Sequence, residues 1–412
     1  MIKSVNQVRA ALAALTFSLS FSICLFAFYF PICLFSFSFF ICLSSPAFAQ
    51  SPFLGFNPAT LAGKANSVFL ETKAFGADNA LSLHGLFFDK MSGPFTPDTI
   101  NRVDGVWNID SGIVYHGLRF ATFYRGEVFM KANRDTVEIL RMINQKKNLP
   151  VGRVFNIDLQ SRGFSAFGLE MSKGFKLDHL APMLPLPQGL TIGITARYLQ
   201  GEMIQEGKIG GMVTPTGQEN YNFDLFIDYI YDQNLLYERP STIPGTGRGH
   251  SFDLGLQYAP NKRFNAEVLF RDIWGRIYWR DTPYTCAAAA SDIKEYDSNG
   301  YQIYRPTIHG YESYKNYTQK IPLKADVLLS YRHGPFTLTP TVNFIEEIKP
   351  FYWIDLHCQA TRDFSFHTGY NLNYQAFCAG LAYRKALLNI VGNNIDLNKI
   401  KVIGLMLSLS CQ

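Results

Sequence analysis

Eight histidines are the first place to look for chemistry: His84, His116, His179, His250, His309, His333, His357 and His367. A hydrolytic site would need one of them beside a serine or cysteine nucleophile and a carboxylate, yet neither G-x-S-x-G nor H-E-x-x-H occurs. The run Gly245-Thr246-Gly247-Arg248-Gly249 is glycine-rich. It lacks the Lys-Ser/Thr pair and the strand-to-helix setting of a phosphate cradle, so it reads as a loop. Past residue 50 the cysteines are Cys286, Cys358, Cys378 and Cys411. They show no C-x-x-C spacing and no histidine at ligand distance, so each reads as a small apolar residue, with no metal or cofactor expected. No residue set points to an enzyme.

Two other sets could handle a ligand. Arg197, Asp224, Asp228, Asp253, Glu267 and Arg271, followed by Asp326, Arg332, Asp355 and His357, alternate with apolar neighbours and would share one face of a sheet. Mixed signs on such a face form cross-strand pairs that neutralise one another or, alternatively, a selectivity filter. The stretch 274–322 carries Trp274, Tyr278, Trp279, Tyr284, Tyr296, Tyr301, Tyr304, Tyr311, Tyr314 and Tyr317. Read as one long loop, it would line a vestibule for an apolar ligand or pack on itself.

The elements that must position these residues read as strands. Phe223, Leu225, Ile227, Tyr229 and Tyr231 oppose Asp224 and Asp228. Phe252, Leu254, Leu256 and Tyr258 oppose Asp253, Gly255 and Gln257, and Ile403, Leu405, Leu407 and Leu409 oppose Gly404, Met406 and Ser408. Alternation alone also fits a soluble sandwich. Composition argues otherwise: of 412 residues, 47% are hydrophobic, 15% aromatic and only 17% charged, against about 25% charged in soluble domains. The net charge of +5 is too small and too scattered to argue for a nucleic-acid partner, and none is expected. The segments have the length of a tilted strand crossing a bilayer, and aromatics recur at their ends (Tyr231, Tyr258, Tyr331, Tyr352, Tyr383).

The expected fold class is therefore all-β: a transmembrane antiparallel β-barrel of about 14 strands (roughly 14–16) with one short helix. Strands are expected near 66–76, 105–116, 117–130, 151–160, 163–175, 188–200, 221–231, 250–259, 263–273, 323–332, 336–346, 351–360, 363–371, 374–384, 386–394 and 401–411. The helix falls at 135–147, where Asp135 and Glu138 make a capping pair. With the last strand ending in the periplasm, the periplasmic connections 260–262, 333–335, 361–362 and 385 are short. The outer ones, 232–249 and 274–322, are the longest, which is the outer-membrane pattern.

The leader agrees with that destination. Lys3 and Arg9 are its only charges, an apolar run from residue 10 to 43 is interrupted by Pro31, and Ala47-Phe48-Ala49 follows Pro46 as a signal-peptidase site would. The expected organisation is a signal peptide at 1–49 and a barrel at 50–412 beginning at Gln50. The run is longer than an ordinary h-region, which a start codon placed too far upstream explains, with the h-region near Pro31–Leu43; an uncleaved anchor is the rival reading.

Three segments resemble the FadL-like superfamily of outer-membrane barrels. Asn57-Pro58-Ala59 is similar to that family's N-P-A segment near the mature N-terminus. SFDLGLQYAP (251–260) resembles its D-x-G-x-x-Y-x-P strand and turn, and 352–384, with Gly369-Tyr370-Asn371, resembles its closing strands. The hatch preceding N-P-A is much shorter here than in the family's transporters, and the C-terminal Gln412 is not aromatic. The resemblance implies passive uptake of small hydrophobic molecules of the fatty-acid or hydrocarbon kind, with release near Asn57, Pro58 and Ala59. The alternatives are a non-transport barrel that scaffolds a secretion or surface complex, or a general porin. Expected partners are outer-membrane lipid, the barrel-assembly machinery and a hydrophobic ligand, in the outer membrane of a Gram-negative-type bacterium.

Overall fold

The computed structural model describes residues 55–177, 187–217, 220–232, 245–291, 294–296, 298–304, 307–346 and 348–411. The expected leader and its cleavage site lie outside the described residues. The strands are β1 (Ser67–Asp78), β2 (Ile100–Tyr115), β3 (Leu118–Asn133), β4 (Phe155–Lys176), β5 (Leu190–Pro215), β6 (Tyr221–Tyr231), β7 (Thr246–Tyr258) and β8 (Phe264–Ala290). A small pair follows, β9 (Lys294–Tyr296) and β10 (Gln302–Tyr304), then β11 (Thr307–Lys320), β12 (Lys324–His333), β13 (Phe336–Ile345), β14 (Phe351–Gln359) and β15 (Phe364–Asn371). The last three are β16 (Ala376–Tyr383), β17 (Ala386–Gly392) and β18 (Val402–Cys411).

A closed antiparallel ring of 14 strands results: β1–β5, β7, β8 and β12–β18. It shuts where β18 pairs β1, Val68 lying opposite Cys411. Outward positions are apolar and exposed, as at Phe167, Leu169 and Met171 on β4, Tyr352, Ile354 and Leu356 on β14, and Leu388 and Ile390 on β17. Such a continuous apolar belt is stable against acyl chains and not against water. Closure leaves no unpaired edge in that belt, as a lipid-facing sheet requires.

One side of the barrel is much taller than the rest. β5 has 26 residues and β8 has 27, whereas β14 to β17 have 7 to 9. The lower half of β5 pairs β7 and its upper half pairs β6. β6 and β7 are therefore two halves of one interrupted strand. In the same way β12 pairs the lower half of β8 and β11 the upper half. Outward residues on the upper halves turn polar and exposed at Gln200, Glu202, Arg248, Arg276 and Arg280, so the lipid boundary crosses the strands just below them.

These long strands correct three expectations. Segments 221–231 and 250–259 are not the arms of a hairpin, and 274–322 is not a loop: residues 274–290 continue β8, and 307–320 return as β11. Alternation persists through Arg276, Tyr278 and Arg280 outward and Ile277 and Trp279 inward, but with polar groups outside, so a template of bilayer length cuts the strand short. Likewise 151–160 and 163–175 form one strand, β4. The short turns fall where expected, at 259–263, 334–335, 360–363 and 384–385.

The expected helix is present as Arg134–Asn144, and a second, shorter one spans Leu83–Phe87; in chain order these are α2 and α1. Asn133 caps α2 by accepting from the Thr136 amide at 2.9 Å. Asp135 and Thr136 accept from the amides of Asn156 (3.0 Å) and Asp158 (2.9 Å), covering the edge of β4 above the end of β3. Val137, Ile139 and Leu140 bury the outward Phe155, Ile157 and Leu159 of β4, so this wall is shielded by a helix where lipid no longer reaches it.

Burial would raise the Glu138 carboxyl of α2, but hydrogen bonds from Arg134 and Arg153 outweigh it and hold the group below its ordinary 4.5. A depressed folded value stabilises docking above pH 4.5 and loses that contribution as pH falls through the lower folded value. Amide exchange in α2 is therefore expected to accelerate on acidification below that point, and Arg153→Ala to flatten the dependence.

Candidate functional site

The lumen is layered. At the short-turn end the chain turns inward before β1, and Pro58–Leu61 forms a 3-10 turn against the inner wall. Three glycines make room for it. A Cβ on Gly193 would lie 2.2 Å from the Ala59 nitrogen, one on Gly255 2.0 Å from Asn57 Oδ1, and one on Gly174 2.6 Å from the Ala62 nitrogen. Asn57 locks the turn: its Oδ1 accepts from the Ala59 amide at 3.0 Å, and its Nδ2 donates to Leu256 O at 3.1 Å and Glu267 Oε2 at 2.9 Å. Asn57, Pro58 and Ala59 are thus brought together with Glu267, inside the barrel.

Above this turn lies a belt of buried, paired charges. Arg119 is ion-paired to Glu170, and its guanidinium sits 4.3 Å from the centroids of both the Phe56 and Phe69 rings. Arg197 bridges Glu170 at 2.8 Å and Asp253 at 2.7 Å. Asp272 receives Arg125 at 2.8 Å and Lys324 at 2.8 Å, and Lys324 also meets Glu127 at 3.0 Å. Arg271 pairs with Asp326 at 2.9 Å. A cavity of about 100 Å³ opens here between Phe56 and Phe123. Buried opposite charges at this spacing neutralise one another, as the mixed signs in the sequence imply.

Past the belt the lumen turns apolar. Phe123, Phe164, Leu199, Ile204, Ile230, Ile277, Trp279 and Tyr284 form one buried cluster, with Tyr317 packed against it. On the low wall Phe75, Ile345, Phe351 and Trp353 form another, with Phe129, Ile348 and Tyr374 beside it. Between them opens a mouth cavity of about 430 Å³, lined by Phe129, Ile230 and Tyr317 and rimmed by Arg102, Arg162, Lys208, Asp228 and Glu346.

The wall itself is irregular near this level, most visibly in β8. β8 departs from its ladder at 272–275, with Asp272 at φ 59° and Trp274 at φ 53°. Its pairing shifts against β7 between His250 and Leu254, and on the other edge β12 stops at Arg271 while β11 resumes at Arg276. The bulge turns Asp272 into the charge belt and Trp274 outward, where it is 75% exposed.

The expected site residues therefore separate. Arg197, Asp253, Glu267 and Arg271 do face the lumen, the arginines and Asp253 in ion pairs and Glu267 accepting from Asn57 and Asn265; Asp228 lines the mouth, and Asp224 is exposed higher on β6. Of the aromatics, Trp279 and Tyr284 enter the lumen cluster, Trp274 and Tyr278 stand on the outer face, and Tyr301 is exposed between β10 and β9. Tyr304 ends β10, and its side chain is outside the described residues. Arg119, Arg125, Glu127, Glu170, Asp272 and Lys324 escaped the sequence reading, although Arg119, Arg125 and Glu127 share one phase of β3. Cys286, Cys358 and Cys378 are free.

An apolar belt outside, a closed antiparallel wall and a polar, occupied interior define a transmembrane β-barrel of the outer-membrane kind. The chain belongs to the family of unknown function DUF5723, which it matches over residues 98–334. No curated protein matches it in sequence. Among solved structures it is similar to a TodX monoaromatic hydrocarbon channel lacking S2 and S3, at 12% identity and TM-score 0.46, over 90% of this chain and 96% of that one. The P. putida toluene transporter TodX gives 11% and 0.42, over 86% and 92%. A Pseudomonas aeruginosa FadL homologue gives 10% and 0.22, over 86% and 91%.

Proposed function

We propose that this barrel mediates passive uptake of small hydrophobic molecules across the outer membrane, after removal of a leader ending near Ala49. The observation that carries the reading is the buried apolar cluster of Phe123, Phe164, Ile230 and Trp279, with Tyr317 packed on it, which lies above the charge belt and meets the mouth cavity at Ile230 and Tyr317. A water-filled porin lines its lumen with polar groups; a mouth cavity that ends on an apolar cluster instead lets a solute partition out of water. The belt and the Asn57 turn oppose onward passage of such a solute, because burying it there would part ion pairs. Release is assigned either to the N-P-A segment or, sideways into lipid, to the wall beside Trp274, where the ladder of β8 is interrupted.

Proteoliposomes carrying the chain from Gln50 test this in one preparation. Uptake of an apolar fluorescent probe with little ion conductance is expected, and Tyr317→Ala is expected to slow uptake about tenfold by removing an aromatic wall of the mouth cavity. Steady conductance in the parent protein would mean a porin. Neither activity in a folded, heat-modifiable barrel, with a stoichiometric partner retained in mild detergent, would mean a scaffold.

A further inference from the structure

The outer face of β7 and β8 changes character within one strand spacing. Phe252 and Trp274 end the apolar belt with ring centroids 6.5 Å apart, and the His250 ring lies above, tilted, at 5.9 Å from Phe252 and 6.0 Å from Tyr278. Directly beyond stand Arg248, Arg276 and Arg280, all exposed. The register sets His250 opposite Arg276, Arg248 opposite Tyr278 and Thr246 opposite Arg280, which gathers the cations on neighbouring strands. The belt's arginines are matched by carboxylates; these three carry no ion pair among the described residues. Below them the wall is hollowed by an open groove of about 580 Å³, lined by Ile113, Phe120, Leu169, Met171, Tyr198 and Phe252. Tyr198 ties groove to patch, since it pairs His250 across the β5–β7 ladder.

From this juxtaposition we propose that the β5–β7–β8 face is a binding site for a phosphate-bearing, acylated membrane lipid. An acyl chain lies in the groove under Tyr198 and Phe252. The headgroup phosphate is held by Arg248 and Arg276, with His250 and Trp274 at the boundary. The occupant is a lipid and not a soluble anion because the cations stand at the rim of the apolar belt, where a headgroup is delivered by its own chains. Guanidinium groups suit phosphate through paired N–H donors. The site is separate from the lumen and does not depend on what crosses it.

Native mass spectrometry of the full barrel in mild detergent tests the assignment, with diphosphoryl lipid A, its dephosphorylated form and inorganic phosphate as probes. One diphosphoryl lipid A is expected to be retained per barrel. Retention is expected to fall about tenfold in Arg248→Ala/Arg276→Ala, to recover partly in Arg248→Lys/Arg276→Lys, and to weaken at high salt. Tyr198→Ser with Phe252→Ser is expected to weaken the lipid while leaving the folded, heat-modifiable band unchanged. Equal retention of the dephosphorylated lipid would overturn the proposal. So would undiminished retention by the double alanine variant, or displacement of the lipid by millimolar inorganic phosphate. If the alanine pair does not fold, the lysine pair and the salt series decide the matter in its place.

Discussion

Asp272→Ala is expected to destabilise the folded barrel by about 3–5 kcal/mol, the cost of leaving buried charges without their counter-ion. Asp272 is 2% exposed and takes both Arg125 and Lys324. Deleting it strands two cations whose remaining carboxylate is Glu127. Arg125 keeps that contact at 2.6 Å and Lys324 at 3.0 Å, so one acid must then serve two bases. Asp272→Asn keeps the shape and loses the charge, and is expected to fall between alanine and the parent. Urea titration of the barrel in detergent measures both. An unchanged midpoint for Asp272→Ala would mean that the belt is hydrated and its pairs contribute little.

The second large effect concerns the seat of the inner turn. Gly193→Val places atoms where the backbone of Pro58 and Ala59 now lies, with the first of them 2.2 Å from the Ala59 nitrogen. The wall around Gly193 is held by ladders to β4 and β7, whereas the turn is held chiefly through Asn57. The turn is therefore the part that yields. Trypsin is expected to cut after Lys64 in Gly193→Val and not in the parent. Conductance is expected to stay low in either single variant and to rise in Gly193→Val/Asp272→Ala, because turn and belt close the lumen in series. A steady current from Gly193→Val alone would show that the belt does not seal.

Much of this was legible in the sequence because lipid imposes a strict rule: apolar out, alternate residue in. That rule located the strands from β12 to β18, the short turns and the inward phase of Arg197, Asp253, Glu267 and Arg271. It failed where lipid ends. Above the boundary β8 keeps its period but exposes Arg276 and Arg280, and a pattern of polar-out alternation looks like a loop to a reader searching for a membrane strand. The inner turn had a local mark, Asn57-Pro58, but its seat did not. Gly174, Gly193 and Gly255 lie on three strands, and only their pairing shows that they form one hollow. Asp272 was hidden by the bulge that turns it inward, since a bulge shifts the phase on which any reading of facing residues depends.

The four partners of β8 have a consequence for how the chain assembles. β6, β7, β11 and β12 all come from the stretch between Tyr221 and His333, so the tallest wall can zip from contacts close in sequence, at small loop-closure cost. The seam between β1 and β18 joins residues separated by nearly the whole chain and must wait for everything between. The barrel should therefore fold from its tall side, with the β1–β18 seam closing last and opening first. Pulsed hydrogen exchange would see this order as early protection of Leu225 and Ile277 and late protection of Leu70 and Leu405.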